Sequence, residues 1–264
     1  MATYGRYKEI ELFLKSLIRQ TYNHYELIII DQNDQIDLKP LIERFQGEIN
    51  IKHLYGEKGL SKSRNYGLKY IEGDIIGFPD DDCVYKEDTL EKVLKSFQIG
   101  GVKGVIGKSV DSFSNNVENS ELKRMNIYSI WFHGISYTIF LHKEVIKKVG
   151  IFDEELGIGS GTKYGSGEET DYLIRSIQHD QPLYYDSSLE IIHPTIDITK
   201  KESSIKAYNY SVGRMFVLKK HDYNRFFVFL NIIYPLVKLG INILRKPKTS
   251  KYFWFQFLGR IQST

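Results

Sequence analysis

The feature of this sequence that most limits its fold is a regular alternation of helical and strand patterns in its first half. Apolar residues recur at helical spacing over residues 8–21, and a short apolar run at residues 26–31 follows at once. The same succession repeats until residue 108. Strands that alternate with helices usually pair in parallel, because each helix returns the chain to the start of the next strand. The sequence therefore predicts an α/β fold, a Rossmann-type, mostly parallel sheet flanked by helices.

The second half is less regular and predicts shorter elements. Aromatic and β-branched residues at 129–141 favour strand structure, and helical patterns occupy residues 143–149, 168–178 and 203–220. Two short strands are also predicted in this half, at residues 182–186 and 190–193.

The first half contains further predicted elements besides the helix and strand named above. The helices are predicted at 38–45, 60–71 and 88–97, and the strands at 49–54, 74–78 and 104–108.

Residues 74–82 form an apolar run that ends in three carboxylates, Asp80, Asp81 and Asp82. Side chains alternate along an extended backbone, so Asp80 and Asp82 are expected to point the same way and Asp81 the opposite way. Neighbouring carboxylates repel one another unless a cation or hydrogen-bond donors offset the repulsion. A divalent ion bound with a diphosphate fits this pattern, and a solvated acidic turn is the alternative.

A second acidic cluster follows a glycine-rich loop. Five glycines lie between residues 157 and 167, directly before Glu168, Glu169 and Asp171. Such a loop predicts a mobile lid or a set of tight turns. Glu169 also completes a Ser166-x-x-Glu169 capping box, in which its side chain would bond to the helix terminus instead of taking part in chemistry.

Charge and cysteine content narrow the class of protein. Cys83 is the single cysteine, which excludes an internal disulfide and a cysteine-based zinc site and fits a reducing compartment, and no signal peptide pattern occupies the first residues. Net charge is +3 overall but strongly positive over residues 219–264. Within that tail, residues 226–244 are mostly apolar around a central Lys238, which predicts a peripheral membrane anchor, with a packed pair of amphipathic helices as the alternative.

Two phosphate-binding patterns are excluded. Residues 101–109 end in Gly-Lys-Ser, but a phosphate-binding loop of that type needs glycine where Val102 stands. The glycines of residues 157–167 follow no convincing strand, so the dinucleotide fingerprint is absent too. Nucleoside triphosphate hydrolysis and nicotinamide chemistry both lose support.

In order along the chain, the motifs resemble those of family 2 glycosyltransferases, which have the GT-A fold. The resemblance covers about residues 2–220 and implies a nucleotide-sugar-binding and catalytic domain at residues 1–220. Residues 221–264 are then a helical, basic and aromatic C-terminal appendage that associates with a membrane. The motifs that carry it are Ala2-Thr3-Tyr4-Gly5-Arg6, Asp31, Arg64-Asn65, Asp80-Asp81-Asp82, Glu168-Glu169-Thr170-Asp171 and His193-Pro194.

The resemblance implies roles for these residues. Asp82 and His193 would hold Mn²⁺ or Mg²⁺, and Glu169 would be the catalytic base, with Asp171 and Glu168 as the alternatives. The nucleotide sugar would contact Thr3, Tyr4, Arg6, Asp31, Arg64, Asn65, Asp80 and Asp81. Residues 31–34 read Asp-Gln-Asn-Asp where the family usually has Asp-Asp-Gly-Ser, which leaves the nucleotide base undefined.

The implied reaction is metal-dependent, inverting transfer of one sugar from a nucleotide diphosphate to a hydroxyl acceptor, in polysaccharide or glycolipid assembly. The Gln-x-x-Arg-Trp motif of the family's processive enzymes does not occur, which favours single-sugar addition. The expected partners are the donor, a glycan or lipid-linked acceptor and the inner face of the cell membrane, with no nucleic acid. Sugar-phosphate nucleotidylyl transfer and a catalytically inactive carbohydrate-binding module are the alternatives.

The start of the sequence carries one further expectation. In the doubly wound order a buried first strand lies between the strand that ends at Asp31 and the one that ends at Asp80. Only Met1 and Ala2 precede Thr3 here, so we expect most of that strand to be missing. Either the neighbouring strands close the gap or another segment fills it.

Overall fold

The computed structural model describes residues 1–113 and 121–262. Its described residues form two compact units: one of residues 1–58, 62–152 and 172–194, and one of residues 59–61, 153–171 and those from 195 onward. The predicted boundary at residue 220 stays a prediction.

The first sheet of the first unit contains three parallel strands in the order β1 (Ala2–Thr3), β2 (Glu26–Asp31) and β3 (Asn50–Tyr55). Helices α1 (Lys8–Ile18) and α2 (Lys39–Glu43) connect them. Ile10, Phe13, Leu14 and Leu17 lie on one face of α1 and are buried in a core that includes Leu27 and Ile29 of β2. Each such side chain contributes about 1.5–3 kcal/mol by its burial, so the predicted amphipathic helix is the element that fixes this sheet.

The second sheet is mixed and carries the acid-tipped strand at one edge. Its order is β4 (Ile75–Gly77), β8 (Ile139–His142), β6 (Gly104–Val110), β9 (Leu183–Ile192) and β5 (Val84–Tyr85). Strands β6 and β9 are parallel, the other pairs along this path are antiparallel, and β7 (Lys123–Arg124) pairs with β9. The α/β prediction is therefore confirmed, with a parallel first sheet and mostly antiparallel pairing in the second.

The remaining helices connect these strands and extend the chain beyond them. In the first half they are α3 (Leu60–Leu68) and α4 (Thr89–Gln98), followed by α5 (Ile130–His133), α6 (Lys143–Val149) and α7 (Glu168–Gln178). The second unit contains α8 (Lys201–Lys220), α9 (Arg225–Arg245) and α10 (Ser250–Ile261), and α10 packs against both α8 and α9.

The strand predicted at residues 129–141 is wrong over most of its length. Helix α5 and a 3-10 turn occupy residues 130–138, and only β8 is extended. The Asn126 side chain accepts hydrogen bonds from the amides of Tyr128 and Ser129 (2.9 and 3.0 Å), which starts a helical turn. Local capping thus overrides the strand preference of the aromatic residues.

Two further elements differ from the prediction. The strands expected at 182–186 and 190–193 are one strand, β9, whose ladder with β6 shifts register between Ile106 and Lys108. The helical C-terminal appendage is confirmed by α9 and α10. The bounds of α10 were not predicted, because its run of aromatic residues forms no clear apolar stripe in the sequence.

Candidate functional site

The three aspartates follow β4 in a turn. The amide and thiol of Cys83 both point to the Asp80 carbonyl oxygen, at 3.4 and 3.1 Å. This turn, and not strand alternation, sets the directions of the three side chains. Asp80 and Asp82 still face one site together with His193, as the sequence predicts, while Asp81 faces Thr3 and Arg6.

His193 reaches the aspartates because of strand pairing. β5 begins at Val84, two residues after Asp82, and pairs with the end of β9. Because Val84 lies opposite Ile192, this pairing brings His193, the residue after β9, close to Asp82. His193 Nε2 is 3.0 Å from Asp82 Oδ1 and 3.8 Å from Asp80 Oδ2. One ligand atom from each of these three residues lies within 4.8 Å of the others.

The ring of His193 is held in a fixed orientation. Its Nδ1 is 2.9 Å from the Pro194 carbonyl oxygen, and the ring of Tyr137 stacks on it with centroids 4.3 Å apart. In the tautomer that donates from Nδ1, the Nε2 lone pair faces the carboxylates. A carbonyl partner of this kind orients metal-binding histidines, and two carboxylates with one imidazole are ligands that suit Mn²⁺. The residues present therefore fit a divalent metal.

Positive side chains surround the aspartates on the remaining sides. Arg6 NH1 lies 2.5 Å from Asp81 Oδ1 and 2.6 Å from Asp82 Oδ2, and Arg64 NH2 lies 3.6 Å from Asp80 Oδ1. Thr3 Oγ1 donates to Asp81 Oδ2 at 2.7 Å. These contacts show that the sequence-predicted Thr3, Arg6 and Arg64 all lie at the acidic turn.

The pKa values of the cluster follow from this arrangement. Burial raises the pKa of Asp80 to about 6 and also raises the pKa of Asp81. Although burial opposes it, His193 and Arg6 lower the pKa of Asp82. Burial likewise opposes the charged form of His193, yet the carboxylate of Asp82 raises the pKa of this imidazole. A bound cation would therefore stabilise the ionised forms of the Asp80 and Asp82 carboxylates.

Asp31 lies at the carboxyl end of β2 with its carboxylate already hydrogen-bonded. Its Oδ1 accepts from the amide and the side chain of Asn33 at 2.9 and 2.7 Å, and its Oδ2 is 2.9 Å from His53 Nε2. His53 was missed in the sequence, where it has no motif; the parallel pairing of β3 with β2 brings it to Asp31. Tyr4 is exposed nearby, with Lys58 Nζ 4.8 Å from its ring centroid.

Asn65 contacts the backbone of a distant segment. Its side chain donates to the Phe152 carbonyl at 3.0 Å and accepts from the Phe152 amide at 2.8 Å. The Phe152 ring also packs on the Arg64 guanidinium, 5.5 Å from the ring centroid. These contacts favour a structural role for Asn65 over direct nucleotide contact.

The second acidic cluster belongs to the second unit and is described by itself. Asp171 is fully buried, with Lys220 Nζ 2.8 Å and His221 Nε2 2.9 Å from its Oδ1. Lys220 also contacts Asp153 at 2.7 Å. Although burial opposes it, Asp153 and Asp171 raise the pKa of Lys220. Lys220 and His221 were missed in the sequence, since 49 and 50 residues separate them from Asp171.

The other two acids of this cluster differ in burial. Glu168 is buried beside Gly157. Gly157 has a left-handed backbone conformation (φ 97°), and a side chain at that position would contact the Glu168 carboxylate. Glu169 is half-buried. The hydroxyl of Ser166 donates to the Tyr210 carbonyl at 3.0 Å. Whether the loop before α7 is a lid stays a prediction.

Comparison with known proteins agrees with this geometry. The family described as "Glycosyl transferase family 2" matches residues 1–153. Glycosyltransferase AglE of Haloferax volcanii is 24% identical over 64% of this chain and 59% of its own length. A glycosyltransferase of Haemophilus influenzae is 23% identical over 95% of this chain and 90% of its own.

Solved structures share the fold. The mannosyltransferase PcManGT from Pyrobaculum calidifontis, in complex with GDP-Man and Mn²⁺, has a TM-score of 0.70 at 12% identity and covers 99% of this chain and 85% of its own. The structure of Staphylococcus aureus TarS 1–349 with UDP-GlcNAc has a TM-score of 0.61 at 15% identity, with 99% and 90% covered. This chain therefore belongs to glycosyl transferase family 2 and is a glycosyltransferase with a GT-A fold.

Proposed function

We propose that this enzyme catalyses metal-dependent, inverting transfer of a single sugar from a nucleotide diphosphate to a hydroxyl group. The observation that carries the proposal is the convergence of Asp80, Asp82 and His193 within 4.8 Å. Breaking the sugar–phosphate bond leaves a nucleoside diphosphate, and a bound divalent metal neutralises the charge that develops on it. PcManGT, which shares the fold, was solved with a nucleotide sugar and Mn²⁺.

Each residue of the acidic turn has a separate part in holding the donor. Asp82 and His193 hold Mn²⁺ or Mg²⁺, and Asp80 completes the metal site or contacts the ribose. Asp81 does not face the metal site, since Thr3 and Arg6 engage both of its oxygens. The Arg6 side chain is 38% exposed, so its guanidinium group can also bind a phosphate of the donor.

Asp31 and its neighbours form the remainder of the proposed donor site. Because Asn33 and His53 fix the Asp31 carboxylate, these three side chains present a rigid polar edge to the nucleoside. Tyr4 adds an exposed aromatic face on which a base can stack. Residues 31–34 differ from the family's usual Asp-Asp-Gly-Ser, so the nucleotide base stays to be identified by binding measurements.

Glu169 is the proposed catalytic base. In an inverting transfer the acceptor oxygen attacks the anomeric carbon, its proton goes to the base, and the bond to the diphosphate breaks with its electron pair. Asp171 is a poor base because Lys220 and His221 stabilise its charged form. Glu168 is buried, whereas Glu169 is half-buried and therefore partly accessible from solvent. A positioned base contributes about 10²–10⁴ in rate.

The C-terminal helices are proposed to hold the enzyme on the inner face of the cell membrane, where a lipid-linked acceptor lies. Among the described residues, α9 is the one helix long and apolar enough to span a bilayer, with a mean hydropathy of 1.8 and 11% of its apolar window buried. Exposed Phe226, Leu230 and Leu244 favour contact with acyl chains. The central Lys238 and the flanking basic residues favour an orientation in the plane of an anionic surface.

The polymers named for several relatives are consistent with an acceptor of this kind. WfgD of Escherichia coli, 31% identical over 44% of this chain and 46% of its own length, is described as a glucosyltransferase acting on a diphosphoundecaprenol-linked sugar. TarP of Staphylococcus aureus is described as a poly(ribitol-phosphate) β-N-acetylglucosaminyltransferase. A glycan or lipid-linked acceptor is therefore the class that we propose.

The test of this function is donor turnover by the Asp82→Ala variant. We expect loss of metal-dependent release of nucleoside diphosphate from the donor, because the substitution deletes a carboxylate from the metal site. The matched control is Asp74→Ala, which removes an exposed aspartate at the other end of β4. Full turnover by Asp82→Ala in the presence of a chelator would exclude metal dependence, and release of pyrophosphate from a nucleoside triphosphate would indicate nucleotidylyl transfer instead.

A further inference from the structure

Two arginines from different helices contact the same residue inside the second unit. Arg214 lies on α8, Arg260 lies on α10, and Asn231 lies on α9. The Nε atom of Arg214 donates to the Asn231 side-chain oxygen at 2.7 Å, and the NH1 atom of Arg260 donates to the Asn231 carbonyl. Asn231 therefore holds two guanidinium groups close to each other.

Arg260 is buried, and its charge is poorly compensated. The residue is 5% exposed, and among the described residues its Nε atom has no hydrogen-bond partner. Helices α9 and α10 contain no aspartate or glutamate. Burial, and after it the nearby charge of Arg214, lower the pKa of Arg260 to about 9. Arg260 therefore stays charged at pH 7, although a buried charge is stable only with a partner.

A third cation lies beside an exposed ring that Arg260 also contacts. The guanidinium carbon of Arg260 and the Nζ atom of Lys238 are each 5.7 Å from the centroid of the Tyr234 ring. Tyr234 is 51% exposed. An anion beside this ring would therefore be close to both cations.

The ring of Tyr234 also belongs to the exposed apolar face of α9. Leu230 precedes it by one turn, Val237 follows it by one turn, and both are about half exposed. Apolar side chains next to clustered cations suit an amphiphile whose charged group is a phosphate. Basic pockets between helices at a membrane surface bind phosphate headgroups in this way.

We propose that Arg214, Arg260 and Lys238 form a binding site for a phosphate group, supplied either by a lipid headgroup or by free phosphate. Guanidinium groups bind phosphate oxygens through paired, charge-assisted hydrogen bonds. A bound phosphate gives the Nε atom of Arg260 an acceptor and offsets the repulsion between the two guanidinium groups. The site lies within the second unit, and the inference does not depend on the proposed sugar transfer.

This site differs from a general attraction between the basic tail and an anionic surface. A general attraction depends on total charge and weakens steeply as salt increases. Binding at the proposed site is saturable and depends on the side chain of Arg260 in particular. Substitution of single arginines therefore separates the two.

The experiment follows the melting temperature of the full chain during titration with inorganic phosphate. Chloride keeps the ionic strength constant, and a chelator excludes metal-dependent binding of phosphate at the aspartates. We expect the parent to be stabilised with a defined midpoint concentration. In Arg260→Lys the midpoint should rise at least about tenfold, because lysine keeps the charge but loses the planar set of donors. The control is Arg245→Gln, which removes an exposed arginine of α9 and should leave the midpoint unchanged.

Arg260→Met is the second variant, and its response to phosphate is compared with that of the parent. Replacing a buried charge by an apolar side chain is often tolerated, and the variant should gain no stability from phosphate at any concentration used. Phosphate acting only as an excluded salt would stabilise the parent and all variants alike, with no midpoint.

Vesicles of phosphatidylglycerol test the source of the phosphate group. Sedimentation of the parent is measured at about 0.5 M salt, where screening weakens general attraction, and is compared with that of Arg260→Met and Arg245→Gln. Sedimentation lost only in Arg260→Met assigns a lipid headgroup, whereas a response to inorganic phosphate alone assigns free phosphate. The proposal is overturned if the parent responds to neither probe, or if Arg260→Met responds to both as the parent does.

Discussion

Replacing Asp80 by asparagine tests the electrostatics of the acidic turn. Burial raises the pKa of Asp80 from 3.8 to about 6, so the folded chain binds this proton more tightly than the unfolded chain. Without metal, the ionised carboxylate therefore lowers the free energy of unfolding as pH rises from about 4 to about 6. The change in pKa from 3.8 to about 6 corresponds to about 3 kcal/mol. Because 28% of the side chain is exposed, we expect about 1–3 kcal/mol.

Asp80→Asn is therefore expected to be more stable than the parent chain when a chelator is present at pH 7. The gain corresponds to a rise of about 3–10 °C in melting temperature, and it should shrink to less than about half at pH 4.5, where the folded Asp80 is protonated. Mn²⁺ should stabilise the parent more than the variant. Glu87→Gln, at an exposed acid, is the control. A variant that melts below the parent at pH 7, or a gain independent of pH, would show that the ionised Asp80 carboxylate does not destabilise the folded chain.

Two further predictions concern the base and the tail. Glu169→Gln should lower turnover by about 10²–10⁴-fold without weakening nucleotide binding. The control is Glu155→Gln, at an exposed glutamate. Near-normal turnover by Glu169→Gln would assign the role of base to Glu168 or Asp171. The chain should sediment with anionic liposomes at low salt and less so at high salt, and the double variant Phe226→Asp, Leu230→Asp should abolish sedimentation, since it places charge on the exposed face of α9. Absence of sedimentation by the parent would favour a packed helix pair.

The sequence predicts those parts of the fold that depend on local periodicity. Helix α1 and strand β2 were predicted because their apolar residues repeat at the spacing of each element. Residues 129–141 were misassigned because a single side chain, Asn126, caps a turn there. The continuity of β9 depends on its pairing with β6 over a bulge, which no local pattern encodes.

The residues of the candidate site likewise include some that the sequence predicts and some that it does not. Asp80, Asp82 and His193 were predicted because they stand in motifs, and the pairing of β5 with β9 brings them together. His53 and the Lys220–His221 pair contact motif residues only through tertiary packing. Their residue types are ordinary for a strand and a helix end, so a single sequence carries no signal for them.

Strand β1 contains Ala2 and Thr3 and pairs in parallel with β2. Two residues carry no periodicity, so this pairing could not be predicted from a local pattern.

Metal-dependent binding of the donor's diphosphate is tested most directly by thermal stabilisation of the chain with a panel of nucleoside diphosphates, measured with Mn²⁺ and with a chelator. A ligand that binds the native state at one hundred times its Kd stabilises it by about 2.7 kcal/mol. We expect at least one diphosphate to raise the melting temperature by several degrees with Mn²⁺. The chelator should abolish the rise, and Asp82→Ala should show none. Equal stabilisation with Mn²⁺ and with the chelator, retained in Asp82→Ala, would contradict a metal site at Asp80, Asp82 and His193.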